Sequence, residues 1–386
     1  MKLPKVYEKS NKILQDNIQW VISSDIRIKD GDNKGALYGW KNLTPPYFPF
    51  IYSEITGYAI TCFSWIASEF GNTVALEAAI EASEWIRKNM HSNLLIARPP
   101  VSRDEPNELS SMFYSFDNSM VMIGLLNLYK ITKKSSVLRI VEKMTQVLVE
   151  RFFDGQKFIP RLDSSFRSIK PTGDRGVVKW STVPGAYHCK LSLALLELSG
   201  LTRNKGYARV SDSLCEYAKK MQKNSGEFIT NPGSEIVYLH PHLYACEGLI
   251  YSGIKQSNES HYAAGLNGIK WAIGQVNSNS NGGLFRDTGK GSVEQSDCTA
   301  QLLRLLILCR SDLEKTVKKS KLIKVIDRLH LRLLEFYIPA GEGRGAMKYQ
   351  LSKETACSWC TMFSMQALRL WSSKNSTKLQ WMDYYV

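Results

Sequence analysis

The chain has 386 residues, 44% of them hydrophobic and 11% aromatic, which is enough for a large buried core and excludes a disordered or fibrous chain. Fifty lysines and arginines against 36 aspartates and glutamates leave a formal charge of +14, a balance that suits an anionic partner or substrate. The first residues lack an apolar signal core, no stretch is apolar enough to span a bilayer, and no long basic run marks a nucleic-acid arm, so a cytoplasmic location is expected.

In chain order, apolar residues recur at helical spacing and the helices alternate between two kinds. Residues 7–24, 73–90, 135–153, 205–223, 258–275 and 318–337 read as half-exposed outer helices. The third of these carries Val137, Val141, Met144 and Leu148 on one stripe and Glu142, Lys143 and Gln146 away from it. Residues 53–69, 117–132, 185–199, 240–254, 296–310 and 356–371 are apolar nearly all round, as in Leu191-Ser-Leu-Ala-Leu-Leu, and read as helices enclosed by others. Lysine pairs such as Lys133-Lys134, Lys219-Lys220 and Lys318-Lys319 fall on helix surfaces.

Each enclosed helix opens on a similar polar and aromatic segment, repeating at roughly 55 to 70 residues, the scale of a helical hairpin with its loop. The expected architecture is all-α: six helical hairpins in one domain over residues 1–386, closed around one mouth, with a polar tail from about residue 372. Long loops, notably 154–183 and 275–294, lead into the enclosed helices and leave room for short β-hairpins, for example at Lys157-Phe-Ile-Pro. Eight cysteines lie mostly in apolar helical stretches and are expected to be reduced.

If the hairpins close into a ring, the six openings converge. They bring Glu54, Asp117, His240 and Asp297 as candidate acid, base or nucleophile groups, with Tyr52, Tyr58, Trp180, Tyr187, His188, His242 and Trp359 as candidate sugar-binding neighbours. Carboxylates hydrogen-bond hydroxyls and move protons, and aromatic faces stack on the apolar side of a pyranose. Asp117 and Asp297 each follow a serine at a helix start, where either pair also serves as an N-cap. His240 and His242 stand two apart, so only one faces the mouth, and His240 shares a helical face with Tyr244 and Gly248. His91, His261 and His330 fall on outer helices and are expected at the surface. Loop arginines Arg103, Arg161, Arg175, Arg286 and Arg344 are candidate partners for an acidic sugar, Arg286 and Arg344 beside glycine-rich turns. Cys357-Ser-Trp-Cys360 has metal-ligand spacing but stands alone, so no metal or other cofactor is expected.

Tyr52-x-Glu54-x-x-Gly57-Tyr58, Phe116-Asp117, His240-x-x-x-Tyr244-x-x-x-Gly248 and the late Trp359 resemble the (α/α)6 toroid proteins known as six-hairpin glycosidases, in particular members associated with polysaccharide biosynthesis. The resemblance implies a site at the mouth and a place among glycoside hydrolases, unsaturated-uronyl hydrolases, N-acylglucosamine 2-epimerases and, more distantly, uronate lyases. Toroids that cyclise terpenes or lanthionine peptides fit less well, since the Asp-x-Asp-Asp and Cys-His-Gly patterns are absent.

The leading expectation is a glycoside hydrolase acting on an acidic or acylated glycan, with Glu54 or Asp117 as general acid and Asp297 activating water. A second is a sugar epimerase or lyase using His188 and His240 as bases on opposite faces of the sugar. A third is a non-catalytic glycan-binding toroid, in which the carboxylates cap helices.

Overall fold

A computed structural model of the chain describes residues 3–100, 108–174, 177–277 and 282–373. Apart from one short turn of helix at Arg310–Leu313, the α-helices among the described residues come in six pairs: α1 (Leu3–Ser23) and α2 (Ser53–Phe70), α3 (Thr73–Asn89) and α4 (Ser115–Thr132), α5 (Ser135–Phe152) and α6 (Ser192–Thr202). They continue with α7 (Lys205–Lys220) and α8 (Leu239–Gln256), α9 (Glu259–Gly274) and α10 (Ser296–Leu308), α11 (Lys319–Leu333) and α12 (Ser358–Ser372). Even-numbered helices form an inner ring, each packed on its neighbours from α2 round to α12 and back to α2, and odd-numbered helices form the outer layer.

The burial pattern follows the sequence pattern. Fourteen consecutive residues of α4, Ser115–Leu128, are buried, whereas α5 buries one stripe led by Val137, Val141, Met144 and Leu148. Inner helices turn directly into outer ones. The backbone goes left-handed at Gly71, Lys133, Arg203 and Ser257, and Asn72, Asn204 and Asn258 then cap the next helix by accepting its first free N–H groups.

Glycines set the spacing of the inner ring. A Cβ on Gly124 would stand 2.4 Å from the Gly57 carbonyl oxygen, and one on Gly248 2.3 Å from that of Cys189. No other residue fits at these crossings, so α2 lies tight on α4, and α8 on the segment before α6. At the ring's axis Glu247 accepts from Lys190 and from Arg304, both at 2.8 Å, with all three side chains fully buried and Arg304 also donating to Gln366 at 2.5 Å. Buried charges are tolerated only when paired and hydrogen-bonded in this way.

Short strands edge the mouth. β1 (Trp40–Leu43) and β2 (Pro46–Tyr47) form a hairpin, β3 (Met112–Tyr114) pairs antiparallel with β4 (Arg161–Asp163), and β5 (Gly173–Asp174) pairs with β6 (Val177–Val178). β7 (Met347–Lys348) and β8 (Thr355–Cys357) complete the set. Register Trp40↔Cys357 joins β1 to β8 and so ties the first hairpin to the last. The same closure appears between α1 and α12, where the Tyr7 hydroxyl donates to the Ser372 carbonyl.

Three expectations need correction. The third inner helix does not run as one α-helix from residue 185; after extended Gly185 the chain makes a 3-10 turn over Ala186–Leu191 before α6 begins. His261 and His330 are buried, not at the surface. His261 bridges Ser252 Oγ and Glu216, and His330 contacts Ser10 Oγ and stacks flat on Trp371 at 3.6 Å. Outer helices have a core-facing stripe, and these two histidines belong to it. Of the loop hairpins, Lys157-Phe-Ile-Pro contributes only a bridge between Phe153 and Phe158, and the strand proper is β4. All eight cysteines are buried thiols.

Candidate active site

The starts of α2, α4, α8 and α10 converge on one cavity of about 170 Å³ at the mouth. Glu54, Asp117, His240 and Asp297 all line it, with Tyr52, Tyr58, Trp180 and Trp359 from the sequence-derived set. Sequence reasoning did not single out Arg98, Lys179, Tyr114 and Tyr349, which line it too. Arg98 comes from the loop before α4 and Lys179 from the residue preceding Trp180. Loop basic residues of this kind have no periodicity to place them, and only their neighbours in the fold do.

Neither aspartate stands at the N-cap position itself, although Asp297 accepts an amide of its helix's first turn. The residues preceding α4 and α10 are Tyr114 and Gln295, and neither makes a side-chain capping bond. Asp117 is 4% exposed, and burial pushes its carboxyl well above the usual carboxylate range. The Glu54 charge pushes it further the same way, against Arg98 and Lys179. Two carboxylates on one wall disfavour each other's ionisation, so burial and the neighbouring Glu54 act together in favouring the protonated form of Asp117. Glu54 in turn is met by the hydroxyls of Tyr52 and Tyr58, and Tyr58 shares a 2.5 Å hydrogen bond with Tyr244.

Across the cavity Asp297 is held by two N–H groups: Trp359 Nε1 donates to Oδ2 at 3.0 Å and the Cys298 amide to Oδ1 at 2.7 Å. His240 stands half-buried beside it, its ring against Tyr244 at 4.3 Å and its Nδ1 2.5 Å from the Gln301 side-chain oxygen. With that oxygen as acceptor, Nδ1 carries the proton and Nε2 presents a lone pair. Burial lowers the His240 pKa, with Asp297 and Glu54 opposing, so the ring is a neutral base at neutral pH.

The remaining histidines of the set lie away from the cavity lining. His188 is 1% exposed, placed between Ser115 Oγ at 3.1 Å and the Gly185 amide, and burial drives its pKa down to about 3. His242 is fully buried between the Gly268 carbonyl and the Phe228 amide, its pKa lowered to about 4. Both lock backbone as neutral rings. Tyr187 supports the wall from behind, edge-on to Trp180 at 5.0 Å and to Phe116 at 5.4 Å.

Arg286 is half-exposed and paired with Asp287, and Arg344 is exposed in the turn after Gly341–Gly343; neither lines the cavity. Arg161 is buried behind the wall, donating to the Tyr114 hydroxyl and the Lys170 carbonyl. Arg103 and Arg175 lie outside the described residues.

Among the described residues one group brings potential metal ligands together: His240, Asp297 and Cys298, their donor atoms within 4.8 Å of one another. Its fit is poor. Both Asp297 oxygens already accept N–H bonds, and burial beside Asp297 holds the Cys298 thiol far above its usual pKa, where it is no thiolate.

This chain has the (α/α)6 toroid fold. No protein-family model and no curated protein matches it. Similar solved structures include a sugar epimerase from a ruminal bacterium, at TM-score 0.72 and 12% identity over 93% of this chain and 98% of that one. A cellobiose 2-epimerase from Bacillus thermoamylovorans gives TM-score 0.74 at 12% identity, over 93% and 99%. An unsaturated glucuronyl hydrolase from Bacillus sp. GL1 gives 0.63 at 12%, over 94% and 96%. The likeness is one of fold, shared with epimerases and hydrolases alike.

Proposed function

We propose that the protein is a carbohydrate-active enzyme that hydrolyses a glycosidic bond in an acidic or acylated glycan. The observation that carries this reading is the Glu54–Asp117 pair on one aromatic-walled cavity, with Asp117 buried and its pKa raised by burial and by Glu54. Asp117 gives its proton to the leaving oxygen as the glycosidic bond breaks. A water opposite gives up a proton to Asp297 or to His240 Nε2 and adds its oxygen to the anomeric carbon. Glu54, steadied by two tyrosine hydroxyls, keeps Asp117 protonated and faces the cationic character that develops on the sugar ring. Arg98 and Lys179 on the same wall suit a carboxylate or other anionic substituent of the substrate.

A second reading, proton abstraction as in epimerisation or elimination, is favoured by the neutral Nε2 of His240. It would pair His240 with Asp117 and leave His188, buried elsewhere, in a structural role. Incubation with a panel of neutral and acidic oligosaccharides, with products resolved by mass and by NMR, separates the two. New reducing ends at the mass of added water support hydrolysis, and an isomer or an unsaturated product of the same total mass supports the second reading. Unchanged substrates throughout, or turnover unaffected by D117N, E54Q, D297N and H240N alike, would overturn both.

A further inference from the structure

The end of the toroid away from the mouth carries basic charge that the cavity does not use. Inner helices start at the mouth, so the 18 residues of α2, α4 and α8 put their far ends about 27 Å away at 1.5 Å per residue. Those ends are neighbours: Glu197 near the end of α6 meets Lys130 of α4 at 3.8 Å and Lys255 of α8 at 2.6 Å.

Four inner helices in succession finish on an exposed apolar side chain: Phe70 at 40%, Ile131 at 37%, Leu201 at 43% and Ile254 at 40%. Val74, 51% exposed, joins them from the first turn of α3. Single exposed hydrophobics need no explanation, but here one recurs within the last three residues of each of four helices on one face.

Basic residues surround these tips. Some have an ordinary reason, since Lys133 and Arg203 follow the last turns of α4 and α6, where a cation complements the helix dipole. That reason fails for Lys134 and Lys318, which precede the first turns of α5 and α11, and for Lys205 and Lys319, which begin α7 and α11. A cation at a helix N-terminus works against the dipole, and no acidic residue occupies the first turn of any of the three helices. These lysines gather on three connections of one face, Lys319 with Glu314 beside it, and charge of that sign suits an external anion.

We propose that this face docks on an anionic lipid bilayer, with the apolar tips entering the headgroup layer and the lysines meeting lipid phosphates. The mixture of isolated apolar tips, all but Phe70 aliphatic, and lysine suits that interface: aliphatic tips gain from leaving water, which a nucleic-acid backbone does not offer them. Binding is interfacial, since no described helix is long and apolar enough to cross a membrane. Docked this way, the cavity points away from the lipid, and the inference stands independently of the reaction there.

Co-sedimentation of the full chain with phosphatidylcholine vesicles, with and without one-third phosphatidylglycerol, tests it. The chain should pellet with the anionic vesicles, stay in solution with the neutral ones, and be released by high salt. K134E/K205E/K318E/K319E should lower affinity by about 100-fold or more, at about tenfold per few charges near the surface. I131S/L201S/I254S should lower it by about tenfold while leaving the salt dependence in place. A control reversal at the mouth end, K88E/K220E/K290E/K353E, should change it little, and all variants should keep a cooperative melt, shifted only by the helix-dipole terms, because the altered side chains are exposed. No binding to anionic vesicles, an equal loss in the mouth-end control, or binding to single-stranded DNA without vesicle binding would each overturn the proposal.

Discussion

The two ends of this toroid are made from the same inner helices and are opposite in character. At the mouth, helix N-termini gather Glu54, Asp117 and Asp297 in a walled cavity, where dipoles favour negative charge. At the far end most turns are short, and the exposed surface carries apolar tips and lysines, with acidic residues such as Glu69 and Glu314 held in ion pairs. Long loops build a site and short turns leave a platform. The contrast teaches that the net charge of +14 is no guide to the cavity, whose own chemistry is that of carboxylates.

If the contrast is right, the mouth should be intolerant and the far end tolerant. The largest effect is expected at Asp117: D117N should cut turnover by about 10²- to 10⁴-fold with the melting temperature held or raised, as read by steady-state kinetics and calorimetry. A loss under threefold would place the acid elsewhere. K134E/K205E in the same assay should leave turnover unchanged, because those side chains are at the other end.

Next come the buried neutral rings. His188 and His330 have folded pKa values of about 3, below the unfolded value near 6.5. Their stabilisation is therefore complete above that unfolded value and is lost as pH falls toward 3. At pH 5 each should account for about 2 kcal/mol of lost stability. Urea titrations should show H330F losing less stability than the parent between pH 7 and pH 5; parallel curves would contradict the assignment. Packing at the glycine crossing is comparable: G124A drives a Cβ against the Gly57 carbonyl and should cost about 1–3 kcal/mol, moving α2 and Glu54 with it. The smallest effect is W359F, which removes the Nε1 bond to Asp297, worth about 1 kcal/mol and so a roughly fivefold change in turnover with little in stability.

Much of this was legible in the sequence, for physical reasons that also explain the gaps. Stripes such as Val137, Val141, Met144 and Leu148 predict an outer helix because burial has the helical period. The convergence of Glu54, Asp117, His240 and Asp297 followed from placing each at an inner-helix start. His240 and His242 are separated by the helix's own geometry, which sends residues two apart to different sides. His188 was harder, because a 3-10 turn replaces the helix there and rotates its ring into the core. Arg98 and Lys179 sit on loops whose paths no local pattern encodes. The far face was missed for a different reason: Lys133-Lys134 and Lys318-Lys319 are scattered in sequence and meet only when the ring closes.

Burial and the neighbouring Glu54 both raise the Asp117 pKa. Carbon-13 NMR of aspartate-carboxyl-labelled protein, with D117N to assign the signal, follows that titration directly. In the parent protein the Asp117 carboxyl should titrate above the ordinary carboxylate range, and in E54Q it should move down while staying raised by burial. Activity should fall over the pH range in which the parent's Asp117 signal moves. A carboxyl that titrates in the ordinary range in both proteins would contradict the account.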